Sequence, residues 1–145
     1  VSRWGGEQVK KLISSHRELE VWQRAFGASM AVFEASKSFP KAEQYSLTDQ
    51  IRRSSRSVTV NITEAWRKRR YEAAFISKLN DAEAEAAETQ DWIEYAVKCG
   101  YLQRPEGASL YKQYDDILRT LVGMIVHADT WVLPMSARES RARRE

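Results

Sequence analysis

Residues 46–70, SLTDQIRRSSRSVTVNITEAWRKRR, hold no proline or glycine and carry two faces at helical period. Leu47, Ile51, Ser54, Val58, Ile62 and Ala65 recur at spacings of three and four and form one stripe. Arg52, Arg56, Arg67 and Arg70 fall within a narrow sector of the opposite side, with Arg53 at its edge. One helix thus supplies a core seam and a cationic ridge, and it needs other amphipathic elements to cover the seam.

The rest of the chain supplies them. Only three prolines and six glycines occur in 145 residues, which favours helices over a turn-rich sheet protein. A first helix is predicted over Glu18 to Ser38, with Leu19, Trp22, Phe26, Met30 and Phe33 as its inner stripe. It stops near Phe39, because Pro40 disfavours helical geometry at the preceding residue. Ser46 reads as the N-cap of the second helix, with Asp49 as the acidic partner in its first turn. That helix runs to about Arg69, and Lys68, Arg69 and Arg70 suit the negative end of its dipole. The break is expected near Arg70 and Tyr71; continuous helix is the alternative.

A third helix, Tyr71 to Cys99, carries Phe75, Leu79, Ala82, Ala86, Ile93 and Val97 on one face. Gly100 suits the left-handed residue that closes it. A fourth starts near Pro105 and runs to about Trp131, with Leu110, Tyr114, Ile117, Leu118, Leu121, Ile125 and Ala128 inward. The fold class is all-α, an antiparallel up-down-up-down four-helix bundle over residues 18–132. Residues 1–17 form an N-terminal extension, broken at Gly5 and Gly6, with a short helical turn over Glu7 to Ile13. Residues 133–145, with Arg138, Arg141, Arg143 and Arg144, are expected to be a disordered basic tail.

Several function classes lose support. No run approaches the roughly 18 apolar residues of a membrane span, and no secretory leader is expected. A single cysteine, Cys99, excludes an internal disulfide framework and reads as a small buried hydrophobe near a helix end. A cytoplasmic protein is expected. Bundles hold di-iron sites through Glu-x-x-His motifs, but Ile13 and Met124 stand three residues before His16 and His127. His16 reads as solvated and His127 as sitting on a helix margin. No metal, no cofactor and no catalytic residue is assigned, and the protein is expected to be non-enzymatic.

Certain segments carry a resemblance. Leu19 to Ala25 (LEVWQRA), Phe39 to Val58, Asn61 to Arg69 (NITEAWRKR), the step Glu88-Thr89-Gln90 and the turn Gly100-Tyr101-Leu102 occur in the order and spacing of one bacterial family. Across residues 19–132 the chain resembles the four helix bundle protein family, also called the S23 or 23S rRNA intervening-sequence protein family. The resemblance implies an antiparallel bundle that commonly assembles as a homopentamer. It also implies kinship to a branch that serves diversity-generating retroelements, binding nucleic acid and a reverse transcriptase. This chain departs from the family in having Ala65 where Asn-Ile-Ala-Glu-Gly is usual, and Ala84-Glu85 where Gly-Ser is common.

The cationic ridge is the functional candidate. Guanidinium groups one helical turn apart can follow a phosphate backbone, so Arg52, Arg53, Arg56, Arg67, Lys68, Arg69 and Arg70 are assigned to nucleic acid, RNA in the first place. A solvated or acid-paired face is the competing reading. The acidic flank of the third helix, Asp81, Glu85, Glu88 and Trp92, with Val60 of the second, is assigned to an oligomer interface. There Arg52 or Arg56 of one copy would meet Glu85 or Glu88 of the next; intrachain lacing of the two helices is the simpler alternative. A structural assembly or protein scaffold, without nucleic acid, is the second functional reading. Asn61 and Glu64 match the family motif and are given local roles, Asn61 toward a neighbouring helix and Glu64 toward the arginines. Trp66, Tyr71, Tyr101 and Trp131 are candidates for base stacking or for packing at bundle ends.

Overall fold

The computed structural model describes residues 13–134. The expected turn over Glu7 to Ile13 lies, but for Ile13, outside the described residues, as do the tail arginines from 135 onward.

The bundle is entered through a capping box. Ser15 Oγ accepts from Arg17 N at 3.2 Å, and the Glu18 carboxylate accepts from Ser15 N at 3.2 Å. These bonds close one 3-10 turn, His16–Glu18. The Glu18 carboxylate also accepts from the Ser14 N–H and hydroxyl, and these bonds hold its carboxyl below the usual range. Four helices follow: α1 (Glu20–Ser36), α2 (Asp49–Arg67), α3 (Glu72–Lys98) and α4 (Arg104–Val126). No strand occurs among the described residues.

Cross-helix pairs fix the directions. Trp22 meets Thr63 and Ser36 meets Arg52; Ser54 meets Thr89 and Glu64 meets Lys78; Gln90 meets Asp115. In the first two sets, as one number rises, its partner's falls; for α3 and α4, Gly107 lies against Val97 while Asp115 meets Gln90, so each helix runs against the next. α1 also packs on α4, which closes the square.

The core draws on all four: Val21, Ala25, Ala28 and Val32; Ile51, Val58 and Ile62; Phe75, Leu79, Ala82, Ala86 and Ile93; Leu110, Tyr114, Ile117 and Leu121. α2, α3 and α4 use the expected stripes, though Val97, Leu118 and Ile125 sit at the core margin. α1 does not. Leu19 is buried, but Phe26 is 48% and Met30 45% exposed, and Trp22 and Phe33 are half-buried. Residues 22, 26, 30 and 33 and residues 21, 25, 28 and 32 share one helical spacing. Packing selects the small set, because alanines let α1 approach its neighbours closely, while the large set turns onto the α2 side.

Two boundary expectations and one burial expectation are corrected. Ser46 is not an N-cap: Gln44–Thr48 form a π-helical turn continuous with α2, and Thr48 is already helical with no side-chain cap. Continuous backbone supplies the acceptors that a cap would otherwise provide. Ser46 instead donates to Glu43 at 2.6 Å, and Gln44 donates to Asp49 at 2.7 Å. α4 ends at Val126, because His127 leaves helical geometry (ψ 35°) before a 3-10 turn, Ala128–Thr130. Cys99 is exposed; it lies past the last core turn of α3, where chemical type says little about burial.

The break between α2 and α3 falls over residues 68–71, where Tyr71 is extended. Gly100 closes α3 with φ +83°, and the Tyr101 and Leu102 N–H groups fold back to Ala96 O at 2.8 and 3.2 Å. A side chain at this φ is strained, so Gly100→Ala is expected to cost about 1–2 kcal/mol in denaturant unfolding. The turn is pinned to the α1–α2 loop, since the Tyr101 hydroxyl donates to Glu43 at 2.7 Å. The bonds from Ser46 and Tyr101 hold the Glu43 carboxyl below its usual range, and the same carboxylate pushes the Tyr101 phenol up to about 12.

Candidate nucleic-acid interface

The arginines of α2 separate into those committed within the chain and those turned outward. Arg52 leans over α1: its Nε donates to Ser36 Oγ at 2.8 Å, and its guanidinium sits 4.8 Å from the Phe33 ring centre. Arg53 leans the other way, 2.8 Å from Glu88 and 3.7 Å from Glu85 of α3. The lacing of α2 to α3 is therefore made by Arg53 within one chain. Arg56 is exposed, with its guanidinium 5.8 Å from the same Phe33 ring.

The remaining cations gather where α2 hands over to α3. Arg67 and Lys68 are exposed and make no ion pair among the described residues. Arg69 is half-buried: its guanidinium stacks 3.6 Å from the Trp66 ring centre and donates to Trp66 O at 2.7 Å. Burial and the neighbouring Arg67 charge lower its pKa. That leaves Arg69 a structural clamp on buried Trp66 more than a phosphate ligand. Arg70 is exposed. The chain's last described residues return to this pole, where Leu133 N donates to Arg69 O at 3.0 Å. Arg17, over Trp22 at 5.3 Å, belongs to the same end.

The two motif residues behave differently from expectation. Asn61 bonds within its own helix, donating to Ser57 O at 2.9 Å and Ser57 Oγ at 3.1 Å, and does not reach a neighbour. An asparagine amide mid-helix finds the i−4 carbonyl within easy reach. Glu64 pairs with Lys78 of α3 at 2.8 Å. That bond lowers the Glu64 carboxyl's pKa and raises that of the Lys78 ammonium; Lys68 adds a smaller charge effect on Glu64.

Of the residues assigned to an oligomer contact, Val60 is 52% exposed on the crest of α2. Asp81 is exposed beside Lys78 at 3.8 Å; Glu85 and Glu88 hold Arg53, and Trp92 Nε1 donates to Glu88 at 3.2 Å. Trp66 is buried, Tyr101 and Trp131 are half-buried, and Tyr71 is exposed. Two features were missed: Arg17, and the outward large residues of α1. The alanine stripe beside them was the signal for the second. His16 is half-buried with its ring 5.4 Å from Trp22, and His127 is exposed at the end of α4. Among the described residues no three His, Cys, Asp or Glu side chains converge as metal ligands, and no helix is long and apolar enough to cross a membrane.

No curated protein matches the chain. A solved structure from Bacteroides thetaiotaomicron, a protein of unknown function from the S23 ribosomal protein family, superposes with a TM-score of 0.67 at 28% identity. The alignment covers 72% of this chain and 97% of that one. Residues 17–123 match the profile of the 23S rRNA-intervening sequence protein. That match takes in α1, α2, α3 and most of α4, with the Arg67–Arg70 turn inside it, and the chain belongs to the 23S rRNA-intervening sequence protein family.

Proposed function

We propose that this protein is a non-enzymatic, oligomeric helical bundle that binds nucleic acid, RNA first, at the pole where α2 turns into α3. The observation that carries the reading is the meeting of Arg67 and Lys68, both exposed, with the last described residues through the bond from Leu133 to Arg69. Beyond Pro134 the sequence adds Arg138, Arg141, Arg143 and Arg144, a second cationic stretch. Such a cluster binds phosphates by releasing counterions, with little regard to sequence. Several copies in one assembly would strengthen a weak contact by avidity. The family is named for intervening sequences of 23S rRNA, which favours RNA and a cytoplasmic setting.

The ligand set is narrower than the whole ridge. Arg67 and Lys68 carry it, Arg56 extends it, and Arg52, Arg53 and Arg69 hold the bundle together. Binding of a single-stranded RNA oligomer should weaken linearly in log affinity against log salt. In the variant Arg67→Gln/Lys68→Gln that slope should fall by about 1.4, at roughly 0.7 per lost phosphate contact. Arg53→Gln should leave the slope alone. An unchanged slope in the double variant, measured by fluorescence anisotropy across a salt series, would overturn the assignment.

A further inference from the structure

At the end of the bundle where α3 turns into α4, the two helices leave a groove of about 430 Å³ between them. That volume lies within the span of small-molecule sites, about 300–1,000 Å³. The floor is apolar: Ile93 and Val97 of α3 meet Gly107 and Ala108 of α4, with half-buried Tyr111 farther along. Gly107 is buried, and a methyl group there would collide with Val97 Cγ2. The α4 backbone therefore rests directly on Val97, and this tight meeting closes the groove toward the core. Ala108 is exposed, and its small side chain leaves room that a larger one would fill. The lining follows α4 from Arg104 to Asp115, about 16 Å at the rise of an α-helix.

The charges on the lips are unevenly spent. Lys98 and Arg104 stand at the turn end, both exposed, and neither makes an ion pair among the described residues. The positive end of the α4 dipole lies there too, and no side chain caps it. Farther along, Lys112 is already 3.6 Å from Asp116, and Asp115 accepts from Gln90 at 2.9 Å. Glu94 is exposed on the α3 lip, one turn from Lys98 toward that far end. One end of the groove thus offers unmatched positive charge, and the rest offers an apolar floor with carboxylates beyond it.

We infer that this groove binds an unbranched alkyl carboxylate, its head at Lys98 and Arg104 and its chain along Ile93, Val97 and Tyr111. Burial of the chain drives binding, and the two cations set its direction. A linear chain suits a floor that follows the helix axes. Glu94 and Asp115 disfavour a second anionic group at the far end. The groove lies at the opposite end of α3 from Arg67 and Lys68, so the site does not depend on the nucleic-acid reading.

The test titrates decanoate, below its micelle concentration, into the full chain by calorimetry. Saturable binding with one site per chain is expected. Decyltrimethylammonium, the same chain on a cationic head, should bind about tenfold more weakly. Lys98→Glu/Arg104→Glu should weaken decanoate by about tenfold, the effect of two exposed ionic contacts, and erase its advantage over the cationic amphiphile. Ala108→Trp should abolish decanoate binding with the helical circular dichroism retained, since residue 108 is exposed. Absence of saturable binding, equal affinity for the two amphiphiles, or decanoate affinity unchanged in either variant would overturn the proposal.

Discussion

Tyr114→Ala is expected to lower the stability of the bundle by about 3–5 kcal/mol, the range for emptying a large buried aromatic site. Tyr114 is fully buried, and its ring reaches from α4 into the centre of the square. Its hydroxyl lies toward Ser55 yet completes no hydrogen bond of good geometry. Tyr114→Phe should therefore cost nothing measurable or stabilise slightly, since it removes a buried polar atom and keeps the ring. A domain of this size commonly has only about 5–15 kcal/mol in all, so the alanine variant should unfold at much lower denaturant.

The same phenol makes stability depend on pH. Burial pushes the Tyr114 pKa far above its ordinary value of 10.0. Well below pH 10.0 both folded and unfolded chains hold the proton, and the group adds no pH dependence. Above that value the unfolded chain ionises first and binds fewer protons than the folded chain. Stability must then fall as pH rises, by up to about 1.4 kcal/mol per pH unit for one fully coupled group. Tyr101, raised by its bond to Glu43, acts with the same sign from the surface. Guanidinium unfolding between pH 9 and 11.5 should show a steep alkaline loss, shallower in Tyr114→Phe. Equal slopes in the two proteins would contradict this placement of the hydroxyl.

Two adjacent substitutions in α1 should differ more than any other neighbouring pair. Ala25 is fully buried and Phe26 is 48% exposed. Ala25→Glu places an unpaired carboxylate where the helices meet and is expected to cost about 3–5 kcal/mol. Phe26→Glu removes a large hydrophobic residue, the stronger core candidate by composition, and should shift the stability of the monomer by less than about 1 kcal/mol. Thermal melts at concentrations too low for association separate the two. A reversed order would mean that α1 docks through its aromatic side after all.

The contrast shows where the sequence was legible. α2 has one stripe of apolar residues, and the opposite positions are arginines, so its inner face has no competitor. α1 has two stripes at equal spacing, one aromatic and one of alanine and valine. Hydrophobicity alone points to the aromatic stripe, but close packing prefers the small one. The arginine ridge shows the same limit. Spacing places Arg52, Arg53 and Arg56 within four residues of one another on a polar side. It does not say that Arg52 lies over Phe33, that Arg53 reaches Glu88, or that Arg56 is left outward. Those outcomes depend on which helix stands on each flank. Asn61 and Glu64 follow suit: the motif marks them, but only the neighbouring turn and α3 decide their partners.

By itself the sequence determined that four amphipathic helices form, roughly where they end, and that cations crowd the end of the second. These are local properties, set by period, by Pro40 and Gly100, and by charge along the chain. Tertiary structure decided which side of α1 is buried, which arginines are spent on internal contacts, and that Leu133 returns to Arg69. Each of these joins residues far apart in the chain, and a helix's own repeat holds no information about what will be packed against it.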